Sequence, residues 1–358
     1  MSDDVQIKQF ELTDQEALLD FLRVAYVNEP RKHDPDFWRW HYLENPYTAL
    51  DDIPLWIVKD KDRVVGQAAT ILVELKVKEE TRRGIWILDF ILFPEYRGKK
   101  LGKRLLLLAR ETYPTMFALG FNQLSGNVLR SLDWVAMGSV HRYHRLLYPG
   151  NLKELAGLTP LRELANLAFA PFRRKSTPAN GNQSYTVRVV QEIDSAFDDL
   201  WQRVSDQWPC AVIRGSRYLN WQFRQQPGKT FEVLGIFHEE RLAGYVVLFF
   251  RNEGPSGDPA KAAISDICYD ARDGEAVIDE LLSAALGAAV ARRAGSLVID
   301  ILDPRIEARL RYFGFWRIKA SPEFMVYSPD RQELMYRPEN WYLSRADSDV
   351  SIFEDPNQ

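Results

Sequence analysis

The chain is poor in cysteine. Its only two, Cys210 and Cys268, lie far apart and fit neither a zinc spacing nor a disulfide framework, which points to a reducing compartment. No apolar run approaches the ~20 residues needed to span a bilayer. The opening Met1-Ser2-Asp3-Asp4 is acidic and no signal-peptide core follows it, so a cytoplasmic protein is expected. Positive charge is not in excess. Lys and Arg number 46 against 50 Asp and Glu, a net charge of -4 that argues against general nucleic-acid binding. No Gly-x-Ser-x-Gly and no Cys–His arrangement supplies an enzyme nucleophile. No metal set is evident either. The closing aspartates Asp347 and Asp349 have a spacing that suits a metal, but lack further ligands and read better as a solvated tail or cap.

What the chain does have is 358 residues, 46% of them hydrophobic and 27% charged, enough for one or two packed domains. One stretch speaks directly about chemistry. Ile85 to Phe93 is almost wholly apolar, rich in β-branched and aromatic residues, and ends at Pro94, so it reads as a buried strand with one internal charge, Asp89. Leu101, Leu105, Leu106 and Leu108, with Ala109, read as the apolar side of a helix. Between them runs Arg97-Gly98-Lys99-Lys100-Leu101-Gly102. A helix start has backbone donors without intrahelical partners and sits at the positive end of the macrodipole. Lys99, Lys100 and Lys103 add charge there, so a pyrophosphate is a natural guest.

This segment resembles motif A of the GNAT acyltransferases, in which a strand of the form hydrophobic-x-Pro-x-Tyr-Arg-Gly leads into (Arg/Gln)-x-x-Gly-x-(Gly/Ala). Arg97 fills the first place and Gly102 the last, while Lys100 stands where the inner glycine belongs. A second resemblance follows Met116 to Phe121, read as the next strand. Asn122, Ser125, Val128 and Trp134 match the family's Asn-x-x-Ala-x-x-Leu-Tyr-x-x-x-Gly-Phe spacing. Leu129 replaces the tyrosine that often protonates the departing thiolate, and Asp133 replaces the glycine. The resemblance implies acetyl-CoA, or another acyl-CoA, as cofactor, held by Arg97, Gly98, Lys99, Lys100, Leu101, Gly102, Lys103 and Asn122. It also implies a thioester oxygen polarised by backbone N–H groups near Ile91, Leu92 and Phe93.

A repeat runs through the chain. Phe37-Trp38-Arg39-Trp40-His41-Tyr42-Leu43-Glu44-Asn45-Pro46 returns as Tyr218-Leu219-Asn220-Trp221-Gln222-Phe223-Arg224-Gln225-Gln226-Pro227, about 180 residues later. Asp89 lines up with Asp266, Asn122 with Asp303, and Asp133-Trp134 with Gly314-Phe315. The expected organisation is a GNAT-like acyl-CoA-binding domain at 1–150, a helical segment and linker at 151–184, a degenerate second GNAT-like domain at 185–335 and a tail at 336–358. The fold class is α/β (α+β): two tandem domains, each a mixed, mostly antiparallel sheet flanked by helices. The second copy's turn, Asp270 to Ala276, is acidic and lacks the Arg-x-x-Gly-x-Gly pattern, so cofactor binding is assigned to the first copy. Leucines at helical spacing in 151–172, followed by Arg173-Arg174-Lys175, read either as a hairpin packed on the first domain or as a peripheral membrane contact through 151–175.

In such a fold the amine attacks the thioester directly, and a group must take its proton. Asp89 is the first candidate, acting through water; the alternative is a buried structural aspartate. His141 and Tyr143 share one face of a strand at Ser139 to Leu147, expected to return near the site, and His144 takes the other. The aromatic set Trp38, Trp40, His41 and Tyr42 reads as core, with acceptor stacking as the alternative. The expected function is N-acylation of a small amine, such as an amino sugar of surface polysaccharide, since tandem GNAT-like proteins near such genes end like Trp341 to Asp349. A catalytically silent CoA-binding or scaffolding protein and a Fem-type aminoacyl transferase are the alternatives. The oligomeric state is left open.

Overall fold

The computed structural model describes residues 5–151, 159–171, 185–251, 261–319, 322–330 and 333–348. The chain divides into two compact units, each discontinuous in sequence: 1–139 with 220–229 and 322–340, and 140–219 with 230–321 and 341–358.

The first unit holds β1 (Val5–Gln9), α1 (Gln15–Ala25), α2 (Pro35–Tyr42), β2 (Leu55–Asp60), β3 (Arg63–Val77), β4 (Glu80–Leu92), α3 (Leu101–Thr112), β5 (Met116–Leu119), α4 (Gln123–Arg130) and β6 (Val135–Ser139). Its sheet runs β1-β2-β3-β4-β5, then β15 (Glu323–Tyr327), then β6, with β4 and β5 the one parallel pair. Alternation explains the long strands. β3 is buried on both faces over Val64 to Val73 and accordingly shows a nearly continuous apolar run. Helix α3 turns Leu101, Gly102, Leu105, Leu106 and Ala109 inward, and these join Phe93, Leu129 and α1's Leu18, Leu19, Phe21 and Leu22 in one core.

The second unit holds β7 (His141–Leu146), α5 (Thr159–Ala168), β8 (Tyr185–Val190), α6 (Ser195–Val204), β9 (Cys210–Val212), the start of α7 (Ser216–Phe223), β10 (Phe231–His238), β11 (Arg241–Arg251), β12 (Lys261–Tyr269), α8 (Glu275–Ala291), β13 (Ser296–Leu302), α9 (Pro304–Tyr312), β14 (Trp316–Arg317) and β16 (Trp341–Ser344). Its order, β8-β10-β11-β12-β13-β7-β14, repeats that of the first unit. Each unit is a mixed, mostly antiparallel sheet flanked by helices, as expected.

The repeat is visible residue by residue. Asn122 caps α4 through the Ser125 N–H and Asp303 caps α9 through the Ile306 N–H, both at 2.9 Å. Asp133 and Gly314, which follow those helices, are both left-handed, at φ 63° and 74°. The sixth place in each sheet is filled out of order. β7 follows β6 in the chain yet pairs with β13 and β14, while β15 follows β14 yet pairs with β5 and β6.

Three readings meet the structure here. The strand at 139–147 pairs with β13 and β14 of the second unit; its alternation specifies a strand but not the edge it pairs with. Trp341 to Ser348 is no solvated tail: every residue in it is buried, because β16 pairs with β9 and β13. In α5 the polar Asn166 faces inward, its Oδ1 accepting from the Gly150 N–H at 2.8 Å, while Leu161, Leu164 and Leu167 are exposed. The basic run Arg173 to Lys175, the linker 176–184 and Asp349 lie outside the described residues. The aromatic set is core. Trp38, Trp40 and His41 are each 1% exposed, which leaves no face for an acceptor to stack on. Within the first unit Trp40 stacks on Trp221 at 5.0 Å, and each indole N–H donates to the other's carbonyl at 3.0 Å.

Candidate active site

The basic turn is built on β4. Pairing between β4 and β5 covers only Ile85 to Ile87 against Met116 to Ala118, and no pairing continues along that edge from Asp89 to Leu92 among the described residues. On its other edge β4 carries a bulge, Leu88 and Asp89 lying opposite the single residue Ala69 of β3. The two strands therefore splay as the chain approaches Pro94. The Phe93 N–H is committed to the Val65 carbonyl at 3.0 Å. By the alternation of an antiparallel ladder Ile91 faces the same way, and Phe90 and Leu92 turn their N–H groups to the open edge. Of Ile91, Leu92 and Phe93, Leu92 is thus the one with a donor toward the splay. Its carbonyl accepts from Arg97 Nε at 3.0 Å, which fixes the start of the turn.

Gly98 and Lys100 then adopt left-handed conformations, φ 75° and 61°. Gly102 serves a different end: a Cβ there would lie 2.6 Å from Phe90 Cζ, so any larger residue would have to displace the Phe90 ring for α3 to settle on β4. No side chain caps α3, and its first backbone acceptor, the Lys100 carbonyl, is taken by the Arg104 N–H. The Leu101, Gly102 and Lys103 N–H groups head the helix dipole without intrahelical partners. Gly98, Lys99 and Lys100 are exposed. Lys99 Nζ stands 5.0 Å over the Tyr96 ring, and Lys103 Nζ donates to the Ser131 carbonyl at 3.2 Å. Asn122 is exposed and spends its side-chain oxygen on its cap. Leu129 is 2% exposed, in the core.

Asp89 sits in the bulge, 7% exposed. Its Oδ1 accepts from Tyr26 OH at 2.9 Å and from Lys32 Nζ at 2.8 Å. Both donors use the same oxygen, and Oδ2 carries no hydrogen bond among the described residues. Lys32 Nζ also stands 4.2 Å over the Tyr26 ring and 3.3 Å from a Glu29 oxygen. Burial, together with the Asp89 carboxylate, drives the Tyr26 hydroxyl far above its ordinary value, so it stays a proton donor.

His141 and Tyr143 belong to the second unit. They do share one face, as expected, and both reach Glu307 Oε2, His141 Nδ1 at 2.7 Å and Tyr143 OH at 2.8 Å. Burial and that carboxylate raise the Tyr143 hydroxyl. Tyr26, Lys32 and Glu307 went unnoticed in the sequence. Only Glu307 had a signal, four residues after the Asp303 cap on an amphipathic helix.

The counterpart of the splay in the second unit is filled. β12 and β13 pair in parallel up to Ile264 and Ile299, beyond which β16 pairs with β13 at Ile301 and Leu302 and Tyr342 OH reaches the Ile267 carbonyl. Asp266, the partner of Asp89 in the repeat, is wholly buried with both oxygens used. Oδ1 accepts from Ser344 Oγ at 2.7 Å and Arg214 Nε at 3.2 Å, and Oδ2 from Tyr245 OH at 2.8 Å. Arg214 bridges on to Asp347 at 2.6 Å. The acidic turn is tied up as well: Asp270 pairs with Arg241 and Arg272, and Asp273 with Arg241. Among the described residues no group of His, Cys, Asp and Glu is placed to hold a metal, and no helix is long and apolar enough to cross a membrane. A cavity of about 820 Å³ beside the β3–β4 turn, lined by Val77, Lys78, Glu79 and Glu80 with Glu333 and Arg337, shares no residue with this site.

The splayed parallel pair and the uncapped basic helix start belong to the segment that resembles motif A. Residues 16–122 match the model of the acetyltransferase (GNAT) family. Among solved structures, N-myristoyltransferase from Saccharomyces cerevisiae with bound myristoyl-CoA is similar at TM-score 0.59 and 12% identity, over 91% of this chain and 83% of its own. A probable N-acyltransferase of unknown function from Enterococcus faecalis gives 0.62 and 13%, over 90% and 72%. A GCN5-related N-acetyltransferase from Kribbella flavida gives 0.60 and 15%, over 94% and 74%. At these identities the likeness shows the fold. No curated protein sequence matches the chain.

Proposed function

We propose that the chain is an acyl-CoA-dependent N-acyltransferase acting on a small amine, with one donor site, in the first unit. The observation that carries this reading is the contrast between two equivalent places in the repeat. In the first unit the gap beyond Ile87 is unpaired, α3 is uncapped and Asp89 keeps one oxygen free; in the second the gap holds β16 and Asp266 is fully bonded. The donor's diphosphate fits the Leu101, Gly102 and Lys103 N–H groups with Lys99 and Lys100 beside them, and its thioester oxygen fits the Leu92 N–H. The donor supplies an activated acyl group. The amine nitrogen bonds to the carbonyl carbon, its proton passes to Asp89 Oδ2 through water, and the C–S bond breaks. With Leu129 in place of a tyrosine the thiolate leaves unassisted, which a pKa of about 8.5 permits.

Acetyl-CoA should raise the melting temperature, and reversing the charge of Lys99 and Lys103 should abolish the shift. Asp89→Asn should keep the shift while thiol release falls by about 10²-fold or more. The acceptor panel begins with amino sugars, the class suggested by the resemblance of the chain's end. Leu129 favours a second reading, a silent acyl-CoA binder. Equal, background-level thiol release by the parent chain and Asp89→Asn across the panel would select it.

A further inference from the structure

Next to Lys32 in the turn Pro30–His33 stands a cation with no ion pair among the described residues. Arg31 is half-buried, its guanidinium 4.5 Å over the Phe37 ring. It makes one hydrogen bond, from Nη2 to the Pro227 carbonyl at 2.9 Å, while Nε is buried without a partner. Nη1 faces Gly228, where even an added Cβ would lie 3.7 Å away, so no side chain covers it from there. No carboxylate lies within ion-pair distance among the described residues. Two deeply buried arginines are treated otherwise: Arg214 holds Asp266 and Asp347, and Arg345 holds Asp300. A guanidinium offers five donors in a flat fork, and leaving most of them idle while partly desolvated is costly. Burial pulls Arg31 below its ordinary value, with the Asp34 carboxylate opposing it. Arg31 directly precedes Lys32, whose Nζ holds Asp89 at 2.8 Å, so the two cations stand on consecutive residues of one turn.

We propose that Arg31 sets acceptor specificity by receiving an anionic oxygen fork, a carboxylate or a phosphate, on the same small molecule whose amine is deprotonated at Asp89. The inference rests on the acyltransferase reading above. A neutral group would leave the Arg31 donors unmatched, whereas a two-oxygen anion pairs with them in a fork. The acceptor is then zwitterionic, with its amine toward a carboxylate and its anion toward a guanidinium. Consecutive residues of the turn at 30–33 thereby read both charges, Arg31 the anion and Lys32 the carboxylate that meets the amine.

The test is thiol release at saturating acetyl-CoA with amine pairs that differ in the anion: ethanolamine and O-phosphoethanolamine, glucosamine and glucosamine 6-phosphate, cadaverine and lysine. At least one anion-bearing member should exceed its neutral partner by about tenfold or more in kcat/KM. Arg31→Gln should erase that preference, raising KM for the anionic member about 10- to 100-fold and leaving the neutral member unchanged. Arg31→Lys, the variant to use if Arg31→Gln does not fold, should retain part of the response to phosphate and less to carboxylate. Equal rates within every pair, an equal loss on both members in the variants, or no turnover of any amine while acetyl-CoA still raises the melting temperature would overturn the assignment. Absence of that thermal shift would instead defeat the acyl-CoA reading itself.

Discussion

Two aspartates at matching places in a repeat carry different loads. Asp266 is buried with both oxygens bonded, whereas Asp89 has both its donors on one oxygen. Sequence alignment of the two halves sees the same residue twice and cannot separate them. Lys100 is a second case. It stands where the motif has glycine and is held at φ 61°, a conformation that costs a side-chain-bearing residue about 1–2 kcal/mol. Set against glycine's own entropic cost, Lys100→Gly should stabilise the chain by about 0.5–1 kcal/mol in urea unfolding. A third is His41, lowered to about 3 by burial and by Arg31 and Lys32. Below pH ~6.5 the unfolded chain takes up a proton that the folded chain refuses, so this residue makes stability fall with pH by about 1.4 kcal/mol per unit down to pH ~3. Replacing it in His41→Gln should flatten the stability profile between pH 6 and pH 4, relative to the parent chain, by that slope.

At the scale of elements, β16 decides what the second unit is. Trp341 to Ser344 enters the gap beyond Ile264, and Arg214 ties it down through Ser344 and Asp347. Breaking a buried pair leaves uncompensated charge, so Arg214→Met should cost about 3–5 kcal/mol by strand release and exposure of Asp266 and Asp347. A loss below about 1 kcal/mol would mean that β16 is held by its backbone pairing alone. In the first unit no ion pair holds the start of α3 among the described residues. The elements of motif A were legible because each is local: the apolar run Ile85 to Phe93, the break at Pro94 and the leucine spacing of α3 follow from periods of 2 and 3.6. The bulge at Leu88 and Asp89 was not, because it arises from register against β3, a partner distant in sequence.

For the whole molecule, the repeat and the filled second gap together imply a single donor per chain. Titration calorimetry with acetyl-CoA should give one site for each chain, and two equivalent sites would refute the reading of β16. The repeat itself was readable from Trp40 and Trp221, from Asn122 and Asp303 and from the two-domain length. Which strand completes which sheet was not. β7 and β15 carry ordinary strand patterns, and nothing in them states that each will complete the other half's sheet.

The sequence by itself determined the local conformations: a buried strand ending at Pro94, a helix from Leu101, and aromatic cores around Trp40 and Trp221. These depend on side-chain periodicity and backbone preference within a few residues. Tertiary structure alone decided that Asp89 is joined by Tyr26 and Lys32 on one oxygen, that Arg31 has no ion pair among the described residues, and that Trp341 to Ser344 fills one gap while the other stays unpaired among those residues. Those outcomes depend on how segments up to some hundreds of residues apart share hydrogen bonds and charge, and no short-range pattern encodes that division.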